Sequence, residues 1–142
     1  MINPSELRRG NLISTVLGYA QILSVPYEGD FGGLGSMKCL TKKEPNLYRL
    51  EKIEPITITE EWLIKLGFER KNNYPNEILA IRDERYLGCW LGISKSLFEN
   101  WTFYKGSWID NKVNIVEIKH IHQLQNIYFD ISGKELILNI KQ

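Results

Sequence analysis

Aromatic and basic residues are interspersed through the middle of the chain, and together they have the chemistry of a binding site for a flat anionic molecule. The set is Arg82, Arg85, Tyr86, Trp90, Trp101, Tyr104, Lys105 and Trp108. A nucleobase stacks on an aromatic ring or a guanidinium group, and a phosphate binds arginine or lysine. If these side chains are exposed, we expect them to bind a small anionic ligand such as a nucleotide. The alternative is that the rings belong to the core and the cations form its solvated rim.

A glycine-rich segment precedes this set. Residues 26–36 contain four glycines, a composition typical of a loop rather than a strand. Because loops of this kind move at little cost, the segment is a candidate lid over the ligand site, with Tyr27, Asp30 and Phe31 as the lid residues. The alternative is a disordered hairpin tip with no role in binding.

The residue types of catalytic and metal sites are few. Cys39 and Cys89 are the only cysteines, and neither stands at a predicted helix start, where a thiol would be activated. His120 and His122 are the only histidines, and two positions apart on a helix they point in directions about 200° apart. The chain has no Gly-x-Ser-x-Gly elbow and no phosphate-binding Gly-Lys-Ser/Thr loop. We therefore predict no catalytic residue, no metal and no cofactor; a Cys–His pair formed by tertiary contacts leaves an enzyme as a third, weaker option.

A polar run near the C-terminus has two interpretations. His122, Gln123, Gln125 and Asn126 place imidazole and amide groups on a predicted helix whose other face is apolar. They could form a site, but buried polar groups usually find hydrogen-bond partners nearby. We favour the interpretation that they bond to neighbouring loops or cap exposed strand ends.

Length and composition indicate an ordinary globular chain. Its 142 residues fit a single domain, 1–142, and the net charge of +1 lacks the basic excess typical of proteins that bind duplex nucleic acid. The N-terminus does not resemble a signal peptide, and no apolar run approaches the ~20 residues of a membrane span. We expect a cytoplasmic protein without a membrane partner.

The hydrophobic pattern predicts an α+β fold that is mostly antiparallel sheet. Strands and tight turns over residues 1–56 indicate a small, strongly curved, partly barrel-like sheet. Thr59 as N-cap and Gly67 as terminator predict a helix over about 59–66. Apolar residues at steps of three and four predict a second helix over about 118–131, with more strands between the two helices.

Three segments of the chain resemble a group of small proteins from phages and prophages of Bacteroidota. They are Asn3-Pro4-Ser5-Glu6-Leu7-Arg8-Arg9-Gly10-Asn11, then Glu54 to Leu63 with Leu66-Gly67-Phe68, and His122-Gln123-Leu124-Gln125-Asn126-Ile127-Tyr128-Phe129 with Ser132 to Leu136. The resemblance covers about a quarter of the chain and implies a small accessory protein of viral origin, located in the host cytoplasm. It implies no catalytic residue.

Two functions follow as expectations. The first is a non-enzymatic phage-type protein that binds a small anionic ligand and sequesters a nucleotide signal of host antiviral defence. The alternative is a protein-interaction module that inhibits, or assembles with, a host or phage protein. Assembly with further copies of the same chain remains open.

Overall fold

The computed structural model describes residues 2, 4–16, 18–24, 36–41, 44–49, 52–71, 77–84, 89–96, 101–107, 113–136 and 138. Several of these are described by backbone alone, namely 4, 24, 36–41, 44–49, 71, 77–84, 89–90, 96, 107 and 113–115. The chain forms two compact units. The first comprises Met1–Thr57 and His120–Asn126, and the second Ile58–Lys119 and Ile127–Gln142. The single-domain assignment stays a prediction.

The first unit contains a four-stranded antiparallel sheet preceded by a 3-10 turn at Pro4–Glu6. Its strands follow one another in space as in sequence: β1 Leu12–Thr15, β2 Gly18–Ser24, β3 Ser36–Thr41 and β4 Glu44–Arg49. Ile13, Ala20 and Ile22 of β1 and β2 form one buried apolar cluster with Ile2, Leu7 and Ile53, which lie outside the strands.

This sheet is curved, as the sequence predicted. After β4, the chain returns to the opposite edge, where Glu54 pairs with Ser14 of β1. In a flat sheet four strand spacings, about 19 Å, would separate Arg49 from Glu54, but five residues span at most about 18 Å. The strands must therefore curl toward each other. Within the described ranges no strand pair closes the sheet into a barrel.

The second unit contains helix α1, Glu60–Lys65, and a five-stranded antiparallel sheet. The strands lie in sequence order: β5 Glu69–Lys71, β6 Glu77–Glu84, β7 Cys89–Ser96, β8 Trp101–Ser107 and β9 Val113–Ile118. The Thr59 hydroxyl accepts a hydrogen bond from Trp62 N at 3.3 Å, and Gly67 has a φ of 89°. The predicted first helix, with its cap and its terminating glycine, is thereby confirmed.

Helix α2 spans Ile121–Ser132 and begins three residues later than predicted. Ile118, assigned to the helix from its apolar character, is instead the last residue of β9, where it pairs with Trp101 of β8. The helix starts where Gln123 Oε1 accepts a hydrogen bond from His120 N at 3.1 Å, the contact that an N3 glutamine makes with the N-cap. No helix in the described part of the chain is long and apolar enough to cross a membrane. The α+β class is confirmed.

Candidate functional site

The polar residues at the start of α2 hydrogen-bond to the N-terminal segment of the chain. His122, Gln125 and Asn126 are spaced three and four apart from the first, so they lie on one face of the helix. Each of them bonds to a group between Glu6 and Leu12. The expectation that this run bonds to loops and a strand end is confirmed.

The side chain of Gln125, in α2, hydrogen-bonds to the outer edge of β1. Its side chain is 1% exposed. Its Oε1 accepts a hydrogen bond from Leu12 N at 2.8 Å, and its Nε2 donates to Gly10 O at 3.2 Å. A neighbouring parallel strand would bond to the same pair of backbone groups. Two residues further along β1, Ser14 exchanges backbone hydrogen bonds with Glu54 at 2.8 and 3.0 Å. Gln125 and Glu54 together cover this edge.

Asn126 is the centre of a second set of bonds. Its Oδ1 accepts hydrogen bonds from Arg8 Nε at 2.7 Å and from Asn11 Nδ2 at 2.9 Å. Its Nδ2 donates to Glu6 O at 2.7 Å. Arg8 also donates from Nη2 to Gln125 O at 3.0 Å. Because Asn11 is fully buried, these bonds supply the partners that a buried amide requires.

His122 forms the remaining contact, with Glu6. Its Nε2 lies 3.2 Å from Glu6 Oε2, and the side chain is 1% exposed. The rings of His120 and His122 stack with their centroids 5.6 Å apart and their planes at 9°. The expectation that the two side chains point in opposite directions is wrong, because His120 precedes α2 and forms a β-bridge with Thr57. The buried Nδ1 of His122 has no hydrogen-bond partner among the described residues. In that same part of the chain no three His, Cys, Asp or Glu side chains are grouped so as to hold a metal ion.

The tight turn between β1 and β2 exposes apolar side chains. Thr15 pairs with Gly18, so only Val16 and Leu17 connect the strands. Such turns usually contain Asn, Asp or Gly. Val16 is 82% exposed and Tyr19, just after the turn, is 43% exposed; Leu17 lies outside the described residues. We call Val16 and Tyr19 the hairpin tip.

The hairpin tip is held by the pairing of β1 with β2 and by one side-chain hydrogen bond. Thr15 Oγ1 donates to Gly18 O at 2.8 Å, and Gly18 has a φ of 109°, a conformation that glycine adopts without strain. None of the residues predicted for a site lies on this surface. The available signal was the apolar pair Val16-Leu17 placed immediately before Gly18, the first residue of β2.

Two rings of the predicted ligand site are buried. Trp101 is 6% exposed and Tyr104 8% exposed, so for these two residues the core alternative holds. Lys105 is exposed. Lys95 Nζ lies 5.7 Å from the Trp101 ring centroid, a distance at which the cation is attracted to the ring. Neither buried ring offers an open face on which a nucleobase could stack.

Of the other members of that set, some are described by their backbone alone, and the rest lie outside the described residues. Arg82 pairs with Leu91, which pairs with Lys105, and the next row contains Trp90. The register therefore places Arg82 and Lys105 in one row, whereas Trp90, one position from Leu91, falls on the opposite face of the sheet. The remaining candidates and the lid lie outside the described residues, namely Arg85, Tyr86, Trp108, Tyr27, Asp30 and Phe31. Their role stays a prediction.

Helix α1 carries two ion pairs at the surface. Lys65 Nζ lies 2.9 Å from Glu61 Oε1, and Arg70 Nη1 lies 2.9 Å from Glu60 Oε1. The hydrogen bond from Lys65, together with its positive charge, lowers the pKa of Glu61 from its usual 4.5. Exposed pairs of this kind contribute little to stability.

Comparison with known proteins identifies no relative of this chain. No family model matches it, and neither a curated protein nor a solved structure matches it. What the protein does must therefore be inferred from its own surfaces, of which the hairpin tip and the row that contains Arg82 and Lys105 are the two candidates.

Proposed function

We propose that this protein is a non-enzymatic protein-interaction module that binds its partner through the hairpin tip. The observation that supports this function is the exposure of Val16, at 82%, beside a half-exposed tyrosine on a turn held by the Thr15–Gly18 hydrogen bond. Apolar side chains are not needed to form such a turn, so their presence favours a role in binding.

The physical basis is burial of apolar surface on a preorganised element. Burying a valine side chain contributes about 1.5–3 kcal/mol. Tyrosine is among the residues that most often dominate binding energy at interfaces. Because the strand pairing and the Thr15–Gly18 bond already hold the turn, little conformational entropy is lost when a partner binds.

The resemblance to phage and prophage proteins gives this function a setting. An accessory protein of that kind would act in the host cytoplasm, and its partner would be a host or phage protein that it inhibits or assembles with. This setting is part of the proposal and rests on the three sequence segments given above.

Site-specific photo-crosslinking tests the proposal. Benzoylphenylalanine replaces Tyr19 in one variant and the exposed Lys134 in a matched control, and each is illuminated in a Bacteroidota lysate. We expect a discrete adduct from position 19 only, suppressed by an excess of wild-type protein but not by the Val16→Ser variant. An adduct that forms equally from both positions, or that Val16→Ser suppresses fully, would contradict the proposal.

A second candidate function is the binding of a small anionic ligand, with sequestration of a nucleotide signal as its purpose. Its support is the strand register that places Arg82 and the exposed Lys105 in one row of the sheet. A ligand at ~100 times its Kd would stabilise the protein by about 2.7 kcal/mol. A thermal-shift series with cyclic and linear nucleotides tests this function; we expect stabilisation that Lys105→Ala reduces and Lys134→Ala preserves. No shift with any nucleotide would exclude those ligands.

A further inference from the structure

The edges of the two sheets bear on how a partner can bind. Proteins that add a strand to a sheet need an edge with free backbone donors and acceptors. The outermost strands are β1 and β4 in the first unit and β5 and β9 in the second. Each of these strands has a feature that hinders addition of another strand.

Three of the hindering features lie in the strands themselves. β4 contains Pro45, which has no backbone N–H to donate. β5 is only three residues long. β9 departs from regular pairing opposite Phe103 and Tyr104, and such irregularities protect sheet edges.

On β1 the hindrance comes from other parts of the chain. Its outward groups are bonded to the Gln125 amide at Leu12 and Gly10, and to the Glu54 backbone at Ser14. A partner strand would have to displace these bonds. Recognition through side chains of the hairpin tip needs no such displacement.

We infer that the hairpin tip acts as a convex anchor that inserts into an apolar pocket of a folded partner protein, with a cationic rim facing Glu54. This inference rests on the proposed function and specifies the kind of partner. A two-residue turn projects beyond its strands, so its side chains fit a concave surface better than a flat one. Val16 is the most exposed large apolar residue among those described, and it is the residue that fills the pocket.

The charge beside the tip distinguishes a protein pocket from a lipid surface. Glu54 is exposed, and its backbone pairs with Ser14, whose cross-strand partner is Tyr19. A carboxylate in the same row as Tyr19 is repelled by anionic headgroups, which attract clusters of lysine and arginine. It is attracted by a lysine or arginine on the rim of a protein pocket.

A size series at Val16 tests the inference. The crosslinker stays at position 19 while Val16 is replaced by Ala, Ile or Trp, and the adduct formed in the Bacteroidota lysate is measured against protein concentration. A pocket of fixed volume predicts an optimum at Val or Ile. Val16→Ala is expected to weaken binding about tenfold, the effect of two buried methyl groups, and Val16→Trp at least as much because it does not fit.

Charge reversal near the tip is the second arm. Glu54→Lys is expected to weaken adduct formation severalfold and Glu54→Gln less, while Glu117→Lys, an exposed control in the second unit, leaves it unchanged. Because Glu54 contacts Ser14 through its backbone, these variants keep the strand pairing, which amide hydrogen exchange at Ser14 verifies.

The third arm uses vesicles of phosphatidylglycerol and phosphatidylethanolamine. Cosedimentation that increases from Val16→Ala to Val16→Trp would overturn the inference in favour of lipid binding. A lysate adduct whose yield rises steadily with side-chain size, or is indifferent to Glu54→Lys, would also overturn it. Failure of the proposed function is distinguishable, because then position 19 gives no tip-dependent adduct with any variant.

Discussion

The two units of this protein achieve stability by different means. In the first, buried amide groups link stretches of chain more than 110 positions apart, as in the bond between Gln125 and Leu12. In the second, the buried side chains are mainly apolar, and the two described ion pairs lie at the surface of α1. Buried polar groups need hydrogen bonds of specific geometry and destabilise the fold when they are left unpaired. Apolar contacts contribute according to how well the side chains fill the core, and surface ion pairs contribute little to stability. Mutations in the two units should therefore have different consequences.

The largest expected effect is in the apolar core of the second unit. Phe103 is fully buried, and Phe103→Ala should lower the free energy of unfolding by about 3–5 kcal/mol, because the lost contacts leave a cavity. Urea unfolding followed by tryptophan fluorescence is a suitable measurement, since Trp62, Trp90, Trp101 and Trp108 all fall within Ile58–Lys119.

A matched control for this change is Val116→Ala. Val116 is the cross-strand partner of Phe103 but is 40% exposed, so its truncation should cost under about 1 kcal/mol. Equal losses for the two variants would show that burial does not govern stability in this unit.

The next effect concerns the polar network of the first unit. Gln125→Met keeps side-chain length but leaves Leu12 N–H and Gly10 O without the partner that Gln125 provides. We expect a loss of about 1–3 kcal/mol, the cost of one unpaired buried polar group, because Leu12 N–H loses its partner while Gly10 O still accepts from Gln21. Hydrogen exchange should accelerate at Leu12 first, and the change should appear in the first unit before it appears in tryptophan fluorescence.

Gln21→Met sharpens this test. Gln21 is also a glutamine that donates to Gly10 O, but at 3.4 Å and from an exposed position. Its replacement should change stability by no more than about 0.5 kcal/mol. If the two glutamine variants behave alike, the contrast between a buried network and a surface bond is mistaken.

The smallest expected effect is electrostatic and belongs to α1. The pKa of Glu61 is lowered by Lys65, so ionised Glu61 stabilises the folded state above its unfolded pKa, and this contribution is lost as the pH falls through the lowered value. An NMR titration should show the Glu61 carboxyl below 4.5 in the wild type and closer to its ordinary pKa in Lys65→Met. Added salt should reduce the difference between the two pKa values. An unchanged Glu61 pKa in Lys65→Met would contradict the claim that the ion pair with Lys65 lowers it.

Local signals were sufficient for some elements. Thr59, the two acidic residues after it and Gly67 act within a few residues of each other, so the cap and end of α1 could be predicted without knowledge of the fold. The start of α2 could not, because Ile118 suits a helix and a strand equally well, and its pairing with Trp101 decided between them.

Among the functional candidates, too, some features are visible in the sequence and others depend on the tertiary structure. That the middle of the chain is rich in rings and cations is visible in the sequence, but the burial of Trp101 and Tyr104 depends on which face of a strand is covered. The exposure of Val16 follows from the pairing of Thr15 with Gly18, which sets the turn at two residues. The structural role of the polar run from His122 to Asn126 could be predicted from its residue types, but its hydrogen-bond partners could not.

The amino-acid sequence by itself determined the α+β class, the capped helix α1, the amphipathic character of α2 and the curved N-terminal sheet. These depend on periodicity and on interactions between near neighbours, which any reader of the chain can see. Only the tertiary structure decided that Gln125 closes the edge of β1, that two predicted ligand rings are core, and that Val16 faces solvent. Those outcomes depend on which distant segments meet, and neither composition nor spacing specifies that.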